Sequence, residues 1–364
     1  MASADRRRLA AAAAITALCS ALPHPVSAQE QDTEAIPPGT NVTTRVFGDV
    51  QWRKTRGRET PNSFALGQFD LFATATLNDR ISFLAEVVLE GSVNTRVVTD
   101  LERLEITFRL HDSLQVSAGR HHTGVGFYNT AFHHGSYFEI PIGRPRVFDF
   151  EDEGGVLPVH DVGVSMRGAV PGTSGAWQYL FEVGNGRNWN LTGPSGAVTE
   201  DLDETDTNEA KSINAGLSYR PERWRGLEVG GSYLRDTIPL TPAPDMDHHI
   251  AAGYVTYRRL SIEILGEWLE LTHQPAGGRR IRNHAAYVQL SRAWGRLRPY
   301  YRYDRLSVNP STPLIGAAGS YRANIAGLRV ELGEWAGFKA QYERADDALR
   351  TRMNSIRTQL VYVF

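Results

Sequence analysis

The sequence predicts an all-β fold, a transmembrane antiparallel β-barrel of about 16 strands. Apolar and polar residues alternate along many short segments, and short and long connections alternate between those segments. The chain also ends on a strand-like segment, with Ile356, Leu360 and Phe364 on one face and Arg357 and Gln359 on the other. A last strand that pairs with the first leaves no open sheet edge, and this favours a closed barrel.

The start of the chain has the pattern of an export signal. Three arginines from position 6 precede an Ala-rich apolar run over 9–22, and Val26, Ser27 and Ala28 form a small-residue cleavage site. The run is shorter than the ~20 residues that a membrane-spanning helix needs. We therefore predict a signal peptide at 1–28, a polar periplasmic lead-in at 29–41 and the barrel at 42–364.

Composition narrows the range of partners and cofactors. The only cysteine, Cys19, lies in the predicted signal peptide, so the mature chain would hold no disulfide, c-type haem or thiolate-bound metal. The formal net charge of −2 does not suggest a nucleic-acid partner. No cofactor is predicted.

Strand-like segments recur along the whole of the predicted barrel region. Most are close to the ~9–11 residues that cross a bilayer at a tilt. The segments are 42–53, 64–77, 81–90, 102–110, 114–120, 160–169, 177–186, 211–220, 226–235, 248–258, 260–270, 283–293, 297–307, 321–331, 336–345 and 354–364.

The connections between these segments fall into two classes. Short turns alternate with long connections, which is the arrangement of a barrel with tight periplasmic turns and long extracellular loops. Trp224, Trp294 and Trp335 lie in short turns, where indoles favour the membrane boundary. The long connections are 54–63, 91–101, 121–159, 187–210, 236–247, 271–282, 308–320 and 346–353.

Charged residues occupy the positions that would face the inside of the barrel. In the segment 102–110, for example, Leu104 and Phe108 lie on one face while Glu105 and Arg109 lie on the other. Charges facing a dry interior would be costly, so we predict a water-filled lumen. The predicted lining of the wall comprises Glu86, Glu105, Arg109, Arg298, Arg302, Arg322 and Arg357.

The connection 121–159 is far longer than an ordinary loop. It is rich in aromatic and charged residues, so we predict an ordered loop that forms the constriction of a pore. An acidic run in it could face the wall arginines across the opening and create a transverse field. Alternatively, these acids pair with arginines inside the loop and fix its shape. The predicted constriction residues are Arg120, His121, His122, His133, His134, Arg144, Arg146, Asp149, Glu151, Asp152 and Glu153.

The carboxyl end and the long connection resemble bacterial outer-membrane porins, whose last strand finishes in Phe. In sixteen-stranded porins the third extracellular loop folds into the barrel, and 121–159 has that place in the loop order. The segment 118–126 also resembles the phosphate-selective porin O/P type, although the lysines of that type are nearly absent here. The resemblance implies passive diffusion of small hydrophilic solutes or ions, an outer-membrane location in contact with lipid, a homotrimer and no enzymatic activity.

Three other interpretations remain open at the level of sequence. Imidazoles in the loop could bind zinc or copper, but adjacent histidines on an extended chain point apart, so we predict backbone hydrogen bonds and no metal. A barrel-embedded hydrolase is a second alternative, with His160, Asp161 and Ser165 on one strand; alternation places His160 and Ser165 on opposite faces. A structural barrel that sheathes a partner protein is the third.

Overall fold

The computed structural model describes residues 40–364, except 57–61, 92–96, 133–134, 151–154, 188, 191–198, 201–208, 242, 313–318 and 349–350. The predicted signal peptide at 1–28 and all of the predicted lead-in up to residue 39 lie outside the described residues. Within the described part of the chain, no helix has the length and apolar character required to cross a membrane.

In the part of the chain that the structure describes, sixteen strands close into an antiparallel barrel, as the sequence predicts. Two further strands, β8 and β9, have two residues each and lie within the connection between β7 and β10. The strands are β1 (Asn41–Arg56), β2 (Ser63–Asn78), β3 (Ile81–Gly91), β4 (Val97–His111), β5 (Leu114–His122), β6 (His160–Gly172), β7 (Gly175–Gly184), β8 (Trp189–Asn190), β9 (Thr199–Glu200), β10 (Ser212–Pro221), β11 (Leu227–Thr241), β12 (Ala243–Arg259), β13 (Ile262–Pro275), β14 (Ile281–Arg292), β15 (Leu297–Ser307), β16 (Tyr321–Glu331), β17 (Ala336–Asp347) and β18 (Thr351–Val363).

The first and last long strands close the ring. β1 pairs antiparallel with β18 from Phe47 opposite Val363 to Arg56 opposite Asn354. The amide of Val46 donates to the carbonyl of Phe364 at 2.8 Å, and the amide of Phe364 donates back at 3.0 Å. The terminal strand therefore has a partner on each side, β17 and β1, and the predicted closure is confirmed.

The sorting of connections is also confirmed. Tight turns join β2 to β3, β4 to β5, β6 to β7 and β12 to β13, and slightly longer ones join β10 to β11, β14 to β15 and β16 to β17. Because antiparallel neighbours reverse direction, all of these turns lie at one end of the barrel. Trp224, Trp294 and Trp335 are exposed at that end.

Several strands run further than the sequence predicts, and one long connection shrinks as a result. β11 continues to Thr241 and β12 starts at Ala243, so most of the predicted connection 236–247 is a paired hairpin. Ladder hydrogen bonds satisfy the backbone on either side of the lipid, so a hairpin can extend beyond the membrane boundary without penalty.

Side-chain alternation follows the prediction on most strands. Leu104 and Phe108 are exposed on the outer face, whereas Glu105 is buried on the inner face. The prediction that Arg322 lines the inside of the barrel is wrong. The neighbouring Ala323 and Ile325 are the buried, inward residues of β16, and the exposed Arg322 lies on the outer face.

The interior of the barrel contains an apolar core, and the prediction of a water-filled lumen did not include that core. The connection between β5 and β6, residues 123–159, folds inward and is called the inner loop below. Its apolar residues pack against inward residues of β11 to β15, and burying each of the larger aliphatic or Phe side chains contributes about 1.5–3 kcal/mol. The loop contributes Val125, Phe127, Tyr128, Phe132, Val147, Phe148, Val156 and Leu157, and the wall contributes Leu234, Ile238, Met246, Ile250, Ala252, Leu265, Leu269, Leu271, Ala285, Tyr287 and Leu306.

The close approach of β4 to β5 just before the inner loop depends on Gly119. Its φ is +131°, and a Cβ added there would lie 1.9 Å from the carbonyl oxygen of Leu104. We expect Gly119→Ala to destabilise the folded barrel by more than the ~1–3 kcal/mol of an unfavourable backbone conformation. The measurement is the temperature at which the folded band disappears in unboiled gel electrophoresis.

Gly253 provides the matched control for that experiment. It lies in the middle of β12, and a Cβ added there meets no atom within 4 Å. Gly253→Ala should leave the transition temperature unchanged. Equal transition temperatures for the two variants would contradict the assignment of Gly119 as a close-approach residue.

Candidate functional site

The inner loop leaves and rejoins the wall at a narrow neck. The amide of Thr123 donates to the carbonyl of Val159 at 2.9 Å, which joins the two ends of the loop directly. The side-chain amide of Asn129 donates to both Thr123 and Val159 carbonyls, at 2.9 and 3.1 Å. Asn129 belongs to a four-residue helix, Tyr128–Ala131, so the first turn of the loop folds back over its own neck.

Acidic and hydroxyl side chains of the wall hold the first part of the loop. Glu182 on β7 accepts from the amide of Gly124 at 2.8 Å, and Ser232 on β11 accepts from the amide of Gly126 at 3.0 Å.

Glu267 on β13 makes the densest of these contacts. It accepts from two successive amides of the loop, those of Phe127 at 2.7 Å and Tyr128 at 2.8 Å, and from the hydroxyl of Tyr287 at 2.6 Å. The carboxylate is buried. A buried carboxylate that accepts several N–H and O–H donors is a strong hydrogen-bonding centre, so Glu267 fixes the start of the loop.

Cationic side chains of the wall hold the second part of the loop by its carbonyl groups. Lys339 on β17 donates to the carbonyls of Ser136, at 2.6 Å, and Pro141, at 3.2 Å. Arg329 on β16 donates to the carbonyl of Glu139 at 2.9 Å.

Arg302 and Gln341 complete this second set of contacts. Arg302 on β15 donates to the carbonyls of Gly143 and Arg144 at 2.8 and 2.9 Å. Gln341 on β17 binds both backbone groups of Ile142, at 2.9 Å to the amide and 3.2 Å to the carbonyl. The loop therefore spans the lumen from β7 to β17, with amides facing acids early and carbonyls facing cations later.

The loop leaves a cavity of about 470 Å³ on the side of β1, β15, β17 and β18. This upper cavity lies towards the end of the barrel that carries the long connections, since Arg53 and Asp347 line it. Its charged lining mixes both signs. The charged residues are Asp49, Arg53, Glu139, Arg144, Arg146, Asp149, Arg302, Asp304, Glu343, Asp347 and Arg357.

A second cavity of about 570 Å³ lies on the short-turn side of the loop. This lower cavity is lined by the start of the inner loop and by polar residues near the turns, among them Asp112, Arg167, Arg220 and Arg258. Polar groups thus line a cavity on each side of the loop.

Asp149 and Arg146 form an ion pair within the loop and both line the upper cavity. Burial raises the pKa of the Asp149 carboxyl, and the adjacent Arg146 opposes that rise. Arg144 is buried, and its guanidinium lies over the rings of Phe150 at 4.3 Å and Tyr128 at 5.3 Å. Asp149 therefore pairs with an arginine of the same loop, Arg146, which is the alternative to an acidic loop that faces the wall arginines.

The other predicted constriction residues divide into two groups. Arg120 and His121 are buried at the neck: Arg120 donates to the carbonyl of Glu102 at 3.2 Å, and His121 Nε2 lies 3.7 Å from Glu182 Oε1. His122 is also at the neck, beside His160. The residues His133, His134, Glu151, Asp152 and Glu153 lie outside the described residues.

The predicted wall residues have different roles from one another. Glu86 is buried, and its Oε2 lies 2.5 Å from Arg103 Nε. Arg302 binds the inner loop. Arg357 lines the upper cavity, where its guanidinium lies 4.0 Å from Glu343.

Three further residues of the predicted wall lining differ in how far they are buried. Glu105 is buried on the inner face of β4, Arg109 is exposed on the same strand and Arg298 is half-buried on β15. Arg322 forms an exposed cluster outside the barrel with Asp346 and Arg352. Ala323 and Ile325 of β16 face inward and are covered by Ile140 of the inner loop. Polar residues are expected to face inward, and this part of β16 has the opposite arrangement.

The residues of the hydrolase alternative do not converge. His160 Nε2 lies 2.7 Å from Glu102 Oε2, while the buried Ser165 Oγ accepts from Arg167 at 3.4 Å. Five residues separate His160 from Ser165 on an extended strand, a distance of about 16 Å at the rise of a β-strand. A base must lie within hydrogen-bond reach of its nucleophile, so this pair cannot act together.

Sequence reasoning missed the wall residues that hold the loop, chiefly Glu182, Glu267, Arg329 and Lys339. The alternation of apolar and polar residues along each strand does place Glu267 and Lys339 on the inner face. It cannot distinguish an inward side chain that meets water from one that binds a folded loop. The near absence of lysine from the chain is one usable signal, because Lys339 is one of only three lysines.

The chain matches no protein-family model, and no curated protein matches its sequence. Solved structures do match its fold. The anion-selective porin from Comamonas acidovorans aligns with a TM-score of 0.62 and 11% identity over 89% of this chain and 100% of that one. OmpF of Salmonella typhi, in complex with daunomycin, aligns with a TM-score of 0.60 and 11% identity over 89% and 97%.

A third similar structure is a trimer form of OmpT, an outer membrane protein of Vibrio cholerae. It has a TM-score of 0.52 and 10% identity over 89% of this chain and 99% of that one. These likenesses confirm a porin fold. They do not support the narrower resemblance to the phosphate-selective porin O/P type.

Removing one acceptor from the start of the loop should loosen the loop. In Glu267→Gln, an N–H₂ group replaces an oxygen that accepts from a loop amide, so a buried donor loses its partner. We expect a loss of about 1–3 kcal/mol in the free energy of unfolding, measured by urea titration in lipid vesicles.

Glu263→Gln is the matched control. Glu263 is inward on the same strand but pairs with the partly exposed Arg258 at 3.1 Å, so its loss should change the unfolding free energy little. Equal losses in the two variants would show that Glu267 does not hold the loop.

Proposed function

We propose that this protein is an outer-membrane porin through which small hydrophilic solutes or ions diffuse passively, with the inner loop as its constriction. A single observation carries the proposal. The inner loop crosses the lumen and is held on the wall from β7 to β17, leaving a charged cavity of about 470 Å³ beside β1 and β18.

The size of the upper cavity suits small solutes. Its volume of about 470 Å³ is many times what a single water needs, so it has room for an ion with hydrating waters or for a small organic molecule. It is far too small for a folded partner, which argues against the sheath alternative. The loop also occupies the space that a sheathed protein would need.

The charges of the upper cavity support selection by charge and dipole. Arg357 faces Glu343 at 4.0 Å, and Asp149 lies opposite on the loop beside Arg146. Fixed charges of both signs around a narrow opening orient polar solutes and favour one ion sign only moderately. Among the described residues, both the loop and the wall therefore contribute charges of both signs to this field.

The outer face supports insertion in a lipid bilayer, and the predicted signal peptide supports export to the outer membrane. Large apolar residues such as Leu104, Phe108, Ile356 and Leu360 are exposed on that face. The homotrimer remains part of the proposal, supported by the trimer form of the similar OmpT structure.

A bulky group attached inside the upper cavity should reduce conductance. In Arg357→Cys the new thiol would be the only one in the mature chain, since Cys19 lies in the predicted signal peptide. We expect a neutral, bulky thiosulfonate reagent to lower the single-channel conductance of this variant in a planar bilayer, because the group fills the cavity.

Arg322→Cys is the matched control, because it also replaces an arginine but places the thiol on the outer face. Its conductance should not change after complete labelling. Unchanged conductance of fully labelled Arg357→Cys, or a wild-type protein that gives no conductance steps, would overturn the proposal.

Neutralising opposite charges in the upper cavity should shift ion selectivity in opposite directions. Arg357→Gln removes a positive charge and should move the reversal potential in a salt gradient towards cation preference. Glu343→Gln should move it towards anion preference, and Arg322→Gln should leave it unchanged. Equal reversal potentials in all three variants would exclude the upper cavity as the selective part of the path.

A further inference from the structure

A carboxylate and two imidazoles converge at the neck of the inner loop. Glu102 comes from β4, His122 is the last residue of β5 and His160 is the first residue of β6. One nitrogen or oxygen of each lies within 4.8 Å of the corresponding atoms of the other two. His160 Nε2 is 2.7 Å from Glu102 Oε2, and the two imidazole ring centroids are 4.8 Å apart.

The surroundings of these three side chains are protein groups on several sides. Glu102 and His122 are buried, and the ring of Phe150 stacks on His160 with centroids 6.2 Å apart and an interplanar angle of 12°. His122 Nδ1 lies 3.1 Å from the carbonyl oxygen of Asn129. A proton on Nδ1 makes that hydrogen bond and leaves Nε2 unprotonated, the form of a metal-ligating histidine whose other nitrogen bonds a backbone carbonyl.

We propose that Glu102, His122 and His160 bind one divalent transition-metal ion, with zinc as the best match. Two imidazole nitrogens and one carboxylate oxygen are a ligand set that Zn²⁺ takes with a water in its fourth position. Calcium and magnesium prefer sites made entirely of oxygen ligands, so they suit this set poorly.

The geometry requires only small side-chain movements. A tetrahedral zinc with bonds of about 2.0–2.1 Å separates its ligand atoms by roughly 3.3 Å. The Glu102–His160 pair, at 2.7 Å, must open slightly, and the widest separation within the set, which is no more than 4.8 Å, must close by at most about 1.5 Å. Rotation about the side-chain bonds of Glu102 and His160 supplies movements of this size.

The position of the ion gives it a structural role. His122 and His160 bracket the inner loop, and Glu102 belongs to the neighbouring strand β4. A bound ion would therefore tie both ends of the loop to the wall at its neck, next to the backbone bond from Thr123 to Val159. Metal binding should stabilise the folded chain, because the unfolded chain does not bring the three ligands together.

The rival explanation is a hydrogen-bonded His160–Glu102 pair that holds the neck without a metal. The two explanations differ in their response to zinc. The test uses the full mature protein, purified without a histidine tag, stripped with a chelator and then titrated with zinc alone. We expect one tightly bound zinc per chain by elemental mass spectrometry and a higher thermal transition temperature in its presence.

Variants locate the ion. His122→Gln and Glu102→Gln should each weaken zinc binding by at least ~10-fold and abolish the zinc-dependent rise in transition temperature. His249→Gln, at a half-exposed histidine remote in sequence, is the matched control and should retain both. Zinc binding that is unchanged in the two cluster variants would overturn the proposal, as would a wild-type protein that binds no zinc.

A measurement on the unaltered protein covers the case in which the variants do not fold. X-ray absorption at the zinc edge of the wild-type protein should show nitrogen and oxygen neighbours with the scattering pattern of two imidazoles. A spectrum that shows oxygen neighbours only would overturn the proposal independently of any variant.

Discussion

The structure depends on the hydrogen bonds between the barrel wall and the peptide groups of the inner loop. The described residues of this loop form little helix and no strand, so their amides and carbonyls need other partners. Glu182 and Glu267 accept from the amides of its first part, and Arg302, Arg329 and Lys339 donate to the carbonyls of its later part. Buried charged groups of this kind are expensive unless they are fully hydrogen-bonded. Each of these five side chains has a hydrogen bond to the loop, so the wall holds the loop and the loop supplies partners to the wall charges.

The apolar core beside the loop follows from the same arrangement. Once the loop lies against β11 to β15, inward positions on those strands no longer meet water. Residues such as Leu265 and Leu269 therefore pack on Tyr128 and Phe148. The opposite side of the lumen keeps its polar lining, with Arg357 and Glu343 around the upper cavity. An asymmetric interior, apolar on one wall and charged on the other, is the physical basis of the proposed constriction.

Alternation predicted the barrel well because a strand between lipid and lumen has two chemically different faces. The prediction from alternation failed where the inner loop, and not water, covers the inner face of a strand. On β16, Ala323 and Ile325 face Ile140 of the loop, so the apolar residues point inward and Arg322 points outward. Glu263 and Glu267, both on β13, show what the alternation pattern cannot predict. Both are inward glutamates, yet one pairs with an arginine near the short-turn end and the other binds two amides of the loop.

The sequence by itself determined the strand pattern, the even number of barrel strands, the sorting of short and long connections and the closure of the last strand on the first. These properties are local, because they depend on residues two positions apart or on the length of a connection. The tertiary structure alone decided which inward charges face water and which hold the loop, and it brought Glu102, His122 and His160 together from three strands. Such contacts depend on where a long loop settles inside the ring, and no periodicity along the chain encodes that position.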